Sequence, residues 1–323
     1  MKRRDLLRTG LAATAALAAP AVHAQNFDHT LRIIVPNAPG GTSDILARLI
    51  APELTRALGQ NVVVENRAGA GGNIGADVVA KSPPDGHTLL LMDVTTIATN
   101  PALFPRLPFD NAKDLAPVTM LIYAPYILGV ANALPVQDAA GLAAFAKSSP
   151  RPLNGGNSGV GTASHLTLIE LADAWGKEMT HVPYRGGAPA LTAVVSGEAD
   201  LTIAGATQAQ PYAVNNQMRA VAVTGTHRLS TLPNVPTFRE LGWPAADAGT
   251  WQGIMVQGNT PRPLVERLHR ELRAIVALPP IAARLADLGA EPRTEGPDAF
   301  RQWLTAQTET YTRLIRANNV RLD

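Results

Sequence analysis

Two stretches of this chain run from a short strand through glycines straight into an amphipathic helix, and that repeated unit constrains the fold more than any other feature. The first is Leu31-Arg32-Ile33-Ile34-Val35-Pro36-Asn37-Ala38-Pro39-Gly40-Gly41-Thr42-Ser43-Asp44, after which Ile45, Leu46, Leu49, Ile50, Leu54 and Leu58 recur at three- and four-residue steps. The second is Asn157-Ser158-Gly159-Val160-Gly161-Thr162-Ala163-Ser164-His165-Leu166, leading a helix that carries Leu166, Leu168, Ile169 and Leu171. Glycine lets the backbone turn sharply and brings main-chain amides close to a guest. A helix start leaves its first N–H groups unpaired and carries partial positive charge, so it suits a carboxylate or phosphate. Each turn is therefore expected to grip an anion, with the hydroxyls of Ser158, Thr162 and Ser164 as further donors in the second.

The same alternation continues around both units. Strands are expected at 62–65, 88–92, 181–182 and 201–203, and helices at 76–81, 142–147, 164–175 and 188–195. Such spacing predicts an α/β fold with parallel strands and helices on both faces. Residues 117–130 read as strand for longer than one sheet needs, which predicts a first crossing between two lobes, with 220–223 as the return. The expected organisation is one lobe from 27–124 with 224–323 and another from 125–223. Each is a mixed, mostly parallel sheet flanked by helices, with the ligand cleft between them. Helices at 263–278, 280–288 and 297–318 each open with a proline in the first turn. In open α/β sheets, ligands bind beyond the carboxyl ends of strands, where both glycine turns lie. Two lobes that each present a helix start would meet one anion from both sides, and hinge closure follows as the natural motion.

At 323 residues the chain is long enough for two domains with cores of their own. It begins with a basic head, Met1-Lys2-Arg3-Arg4-Asp5-Leu6-Leu7-Arg8, then an apolar run at 11–21 and the small-residue site Val22-His23-Ala24. Residues 1–24 are thus expected to be a secretion leader, cut near Ala24. Arg3-Arg4 with Leu6-Leu7 makes it twin-arginine-like; an ordinary leader with paired arginines is the alternative. Of the chain's 28 Lys and Arg and 26 Asp and Glu, the leader holds Lys2, Arg3, Arg4, Arg8 and Asp5, leaving 24 basic against 25 acidic side chains. The basic balance belongs to the leader and gives no argument for nucleic acid. The absence of cysteine excludes disulfides, a thiol nucleophile, a thiolate metal site and a lipidated cysteine behind the leader. No segment after the leader is apolar long enough to span a bilayer, so a protein outside the inner membrane and not embedded in it is expected.

Further motifs fall in a fixed order along the chain. Pro36 to Asp44 has the form Pro-Gly-Gly-x-x-Asp at its core; Val64-Glu65-Asn66-Arg67-Ala68-Gly69-Ala70-Gly71-Gly72-Asn73-Ile74-Gly75 and Pro84-Asp85-Gly86-His87-Thr88-Leu89-Leu90 follow. Then come Gly159-Val160-Gly161-Thr162 with His165-Leu166, His181-Val182-Pro183-Tyr184-Arg185-Gly186, Arg219-Ala220-Val221-Ala222-Val223-Thr224 and Leu232-Pro233-Asn234-Val235-Pro236-Thr237. Taken together, colinear over the chain after the leader, they resemble the Bug (tripartite tricarboxylate transporter substrate-binding) family of periplasmic receptors. The resemblance implies a two-lobed, type II-like periplasmic-binding-protein fold that closes on a small carboxylate held by main-chain groups and ordered waters. It implies a monomeric receptor, not an enzyme, without cofactor, serving a tripartite tricarboxylate-type membrane transporter or a sensing role. The binding candidates are Asn37, Pro39, Gly40, Gly41, Thr42, Ser43, Thr95, Ser158, Gly159, Gly161, Thr162, Ala163, Ser164, His165 and Gly205, with Thr96, Tyr126 and Thr207 for the guest's tail. Where the family commonly has Phe-Asp-Asn after the strand at 200–203, this chain has Ala204-Gly205-Ala206-Thr207, which argues against an amino-acid ligand and for a plainer or bulkier carboxylate.

Other readings compete at single positions. Asp44, in a helix's first turn, reads as a loop brace rather than a catalytic acid, because its charge would repel an anion unless turned onto loop amides. Gly69-x-Gly71-x-x-x-Gly75, with Asp93 ending the next strand, imitates a dinucleotide fingerprint one residue too long; close helix–sheet packing is the rival to a periplasmic cofactor-binding oxidoreductase. Ser158 with His165 suggests a Ser/His hydrolase, yet 156–160 fails the nucleophile-elbow pattern and no acid partner is evident. His29, His87, His181, His227 and His269 show no ligand spacing with Asp or Glu, so no metal is expected. Arg67 and Arg185, in loops, are candidates for charge near the cleft, and Trp251 for packing under the hinge.

Overall fold

The computed structural model describes residues 27–322; the leader expected at 1–24 lies outside the described residues. Strand β1 (Leu31–Val35) buries Leu31, Ile33, Ile34 and Val35 completely, as a strand covered on both faces must. Helix α1 (Thr42–Leu58) follows the first glycine turn and buries Leu46, Ile50 and Leu54. Burial of such side chains stabilises by roughly 1.5–3 kcal/mol each. Gly59, at φ +69, ends the helix in a left-handed turn with its amide on the Thr55 carbonyl, 3.0 Å. Next come β2 (Val62–Asn66), α2 (Asn73–Ala80), β3 (Thr88–Asp93) and α3 (Val94–Leu103). β1 lies parallel between β2 and β3.

Strand β4 (Leu115–Val130) joins the two halves. All sixteen of its residues are buried. Residues 115–125 carry the antiparallel pairing with β9 (Gly249–Gln257), and 126–130 pair with β7 (Leu201–Gly205). The second unit runs α4 (Ala139–Ser148), β5 (Leu153–Asn157), α5 (Ala163–Trp175), β6 (Met179–Pro183), α6 (Gly187–Ser196), β7, α7 (Ala206–Val214) and β8 (Arg219–Val223). β5 lies parallel between β6 and β7, so the strand order is β2-β1-β3-β9-β4-β7-β5-β6. The chain ends in α8 (Arg262–Val276), α9 (Pro279–Asp287), the two-residue β10 (Glu291–Pro292) on β4, and α10 (Pro297–Ala317).

Two lobes result, each with its own core. Leu31, Ile33, Leu46 and Leu89 cluster with Leu268 and Leu272, while Leu128, Leu153, Leu168, Leu171 and Ile203 form a separate cluster. Residues 220–223, expected as the return crossing, instead lie in β8, which stays with the second sheet along 127–130 of β4. The segment 224–248, expected in the first lobe, packs on the second: Phe238, Leu241 and Trp243 join its core, and Trp243 meets Trp175 edge-on at 5.6 Å. The chain rejoins the first sheet at Gly249, opposite Pro125. Thr224 marks the junction, its amide on the Tyr126 carbonyl (2.9 Å) and its hydroxyl accepting the Tyr126 amide (2.7 Å). Trp251 lies between Tyr123 (4.7 Å) and Trp303 (5.2 Å), beside the place where β4 changes partners. Among the described residues, no helix is long and apolar enough to cross a membrane.

Candidate ligand-binding site

The first turn is built around Asp44. The Gly40 amide donates to its Oδ2 (2.9 Å), and Asn66 Nδ2 and Arg48 Nε to its Oδ1 (both 3.0 Å). Burial pushes this carboxyl up, but Arg48, the Gly40 amide and Asn66 outweigh it and hold it below the usual carboxylate range. Its charge is thereby turned onto the loop. Gly40, at φ +84, takes a backbone conformation that a side chain would strain.

The second turn is tied from within. Asn157 Oδ1 accepts the Gly159 amide (3.0 Å), Thr162 donates its hydroxyl to the Gly159 carbonyl (2.7 Å), and Ser164 Oγ accepts the Ser158 amide (3.1 Å). His165 Nδ1 accepts the Gly161 amide at 2.9 Å. Burial first, and His181 next, depress its pKa to about 4. Its Nδ1 is thus engaged by the turn, and the hydrogen bonds of Ser158 run to Ser164. The fingerprint-like turn at 69–75 also has a structural task. A Cβ on Gly75 would lie 2.7 Å from Pro36 Cβ, so this glycine permits α2 to sit close against the end of β1.

Both turns open onto one cavity of about 70 Å³ between the lobes. Among the described residues, five helices begin at its wall: α1 through Gly41, Thr42 and Ser43, α3 through Asp93 and Thr96, α5 through Thr162 and Ser164, α6 through Gly186 to Pro189, and α7 through Gly205 and Gln208. Asn37, Ala38, Tyr126, Ser158, Thr250 and Gln252 complete it. Three of the helices, α1, α6 and α7, have glycine at the N-cap and no side-chain cap. Their first-turn amides are the orphan donors that every helix start leaves. The other two are capped, α3 by Asp93 and α5 by Thr162. Among the described residues, no lysine, arginine or histidine lines the cavity, and Asp93 is its one acidic side chain.

Of the candidates expected from sequence, Asn37, Gly41, Thr42, Ser43, Ser158, Thr162, Ser164 and Gly205 lie on this wall, as do Thr96 and Tyr126. Pro39, Gly40, Thr95, Gly159, Gly161, Ala163 and His165 do not; most brace it, Thr95 by donating its hydroxyl to Asp93 Oδ1 (2.6 Å). The Thr207 hydroxyl donates to Thr42 Oγ1 at 2.7 Å, across the lobes. Arg67 pairs with Glu65 (3.0 Å) and Arg185 is exposed; neither reaches the wall. Sequence reasoning missed the turn at 186–189, although Gly186-Gly187 after the strand ending at Pro183 repeats the strand–glycine–helix signal. It also missed Gln208, Thr250 and Gln252, which carry no local signal. Outside the cleft, Asp28, His29 and His87 bring ligand-type atoms within 4.8 Å, against the expectation of no such grouping. The two imidazoles stack at 3.6 Å and 9°, so their ring planes do not meet at a common point.

A family model described as the tripartite tricarboxylate transporter family receptor matches residues 46–320. The chain belongs to this receptor family. Among solved structures, the periplasmic binding protein BugD superposes with a TM-score of 0.86 at 31% identity, covering 92% of this chain and 100% of that one. Rpa4515 of R. palustris, solved with adipate, gives 0.86 at 32% identity over 91% of this chain and 99% of its own. MatC of Rhodopseudomonas palustris, solved with bound malate, gives 0.82 at 32% over 89% and 99%. These receptor-family relatives share the two-lobed architecture over nearly their whole length.

Proposed function

We propose that this chain is a periplasmic solute-binding receptor that captures a small carboxylate in the cleft and closes on it, for delivery to a tripartite tricarboxylate-type transporter or for sensing. The observation that carries this is the convergence of three glycine-capped helix starts on a cavity that, among the described residues, no cationic side chain lines. Orphan amides and helix dipoles together bind an anion there without a lysine or arginine. The hydroxyls of Thr42 and Ser158, which accept from Thr207 and Ser164 and keep their own protons, add donors. Malate in MatC and adipate in Rpa4515 support a carboxylate guest. The bound form contacts the guest from both lobes and the open form from one, so ligand shifts the population to closed. In this reading Asn37, Gly41, Thr42, Ser43, Ser158, Thr162, Ser164 and Gly205 hold the guest. The protein acts as a monomer without cofactor, is not an enzyme, and reaches the periplasm after loss of its leader near Ala24.

The test is a thermal-shift screen of mono-, di- and tricarboxylates on the chain from residue 25 onward, followed by calorimetry. A true guest raises the melting point in proportion to ln(1 + [L]/Kd), about 2.7 kcal/mol at a hundredfold excess over Kd. A screen in which no carboxylate shifts the transition, or turnover of an ester, defeats the receptor reading.

A further inference from the structure

We propose that Asp93 makes this cleft selective for amine-bearing carboxylates, the guest's carboxylate lying on the glycine-capped helix starts and its ammonium facing Asp93. This rests on the receptor reading above and names the class of guest.

Asp93 ends β3 and caps α3, taking the Thr95 amide (3.0 Å) and the Thr95 hydroxyl (2.6 Å) on the same oxygen, Oδ1. The Thr250 hydroxyl and the Trp251 amide are its other hydrogen-bonding neighbours. All four are neutral. Burial therefore dominates and pushes the carboxyl up. Capping does not require this charge, since Ser, Thr and Asn cap a helix as well. The neighbouring α5 is capped by Thr162 in the same cavity. A carboxylate in the wall of an anion site repels an anion and is itself destabilised unless a cation arrives with the guest.

The hydrogen-bond chain beside it has one direction. Ser43 donates its hydroxyl to Gln252 Oε1 (2.7 Å), Gln252 Nε2 donates to Thr250 Oγ1 (2.6 Å), and the Thr250 hydroxyl turns to Asp93. A network in which every donor ends on Asp93 keeps it an acceptor, the role an ammonium needs and a second carboxylate does not satisfy. The cavity thus has a positive side, the starts of α1, α6 and α7, and a negative one. That dipolar pattern complements a zwitterion. The Ala204–Thr207 stretch carries no acid, so the partner for an amine comes from the other lobe.

Matched pairs test this by calorimetry: L-aspartate against succinate, L-glutamate against glutarate, and 4-aminobutyrate against butyrate, on the wild type and on Asp93→Asn. In the wild type the amine-bearing member of at least one pair should bind tenfold or more tightly than its partner. Asp93→Asn should erase that ratio by weakening the amine-bearing guest and tightening its partner several-fold; Asp93→Ser, which also caps α3, should do the same. If plain acids bind the wild type as tightly as their amino counterparts, or if both variants leave the ratio unchanged, the inference falls while the receptor reading stands. If no member of any pair binds the wild type, the inference falls, and the receptor reading is decided by the wider carboxylate screen.

Discussion

At the second turn, His165 accepts the Gly161 amide through Nδ1 and lies edge-on to His181, ring centroids 4.8 Å apart. Burial holds His165 near pKa 4, below its unfolded value of 6.5, and lowers His181 as well, with Asp173 opposing that second shift. Between those values the unfolded chain binds more protons than the folded one. The stability due to neutral His165 is therefore complete above pH 6.5 and lost as pH falls towards 4, on the order of 3 kcal/mol at most. Asp93 and Glu170, whose pKa values are raised, act with the opposite sign on acidification. Urea midpoints between pH 7 and 4.5 should fall in the wild type and fall less in His165→Asn, which keeps an acceptor without the titration; parallel declines would refute the assignment. Sequence alone reads His165 as a pocket wall or a helix-start hydrogen bonder; the second holds, but its partner, a backbone amide four residues away, carries no sequence signal. Asp93 was legible only as the end of a strand. Its place in the cleft depends on Thr250 and Gln252, whose strand comes more than 150 residues later.

Among elements, the strand–glycine–helix units at 31–58 and 153–175 were legible because apolar period and glycine placement agree there. Helix α3 was not. Its Val94-Thr95-Thr96-Ile97 start is β-branched and carries no helix signal, yet it becomes helix because Asp93 caps it and α10 covers it. The α6 start, expected as a helix but not as part of the cleft, yields a prediction of its own. The site a Cβ would take on Gly187 coincides with the Gln208 amide. In Gly187→Ala that flexible amide must swing off the cavity wall, so stability changes by less than about 1 kcal/mol while carboxylate affinity falls about tenfold. Such a loss belongs to the pair, not to the helix start. In a Gln208→Ala background the same substitution should cost less than twofold, and equal costs in both backgrounds, read by calorimetry, would show that α6 itself had been damaged.

Across the whole molecule, the lobes meet where β4 changes partners, and Gly205 sits at that point opposite Tyr126. Its backbone, φ −57 and ψ 139, accepts any residue, so only space argues for glycine. A Cβ there would stand 2.8 Å from Thr250 Cγ2 and 3.1 Å from Thr42 Oγ1, both in the first lobe, while Gly205 belongs to the second. Gly205→Ala therefore acts as a wedge between lobes and leaves the cores Leu268 and Leu168 belong to untouched. Its melting point without ligand should stay within a few degrees of the wild type. Its affinity for a carboxylate should fall at least tenfold, about 1.4 kcal/mol. Small-angle scattering should show the wild type shrinking on adding ligand and the variant not. Adding Thr250→Ser removes the Cγ2 that the new methyl strikes and keeps the hydroxyl that Gln252 and Asp93 use, so the double variant should regain most of the affinity. Full binding and full compaction in Gly205→Ala alone would mean that the contact between Gly205, Thr42 and Thr250 is not part of the closed form, and hinge closure would have to be sought about another point.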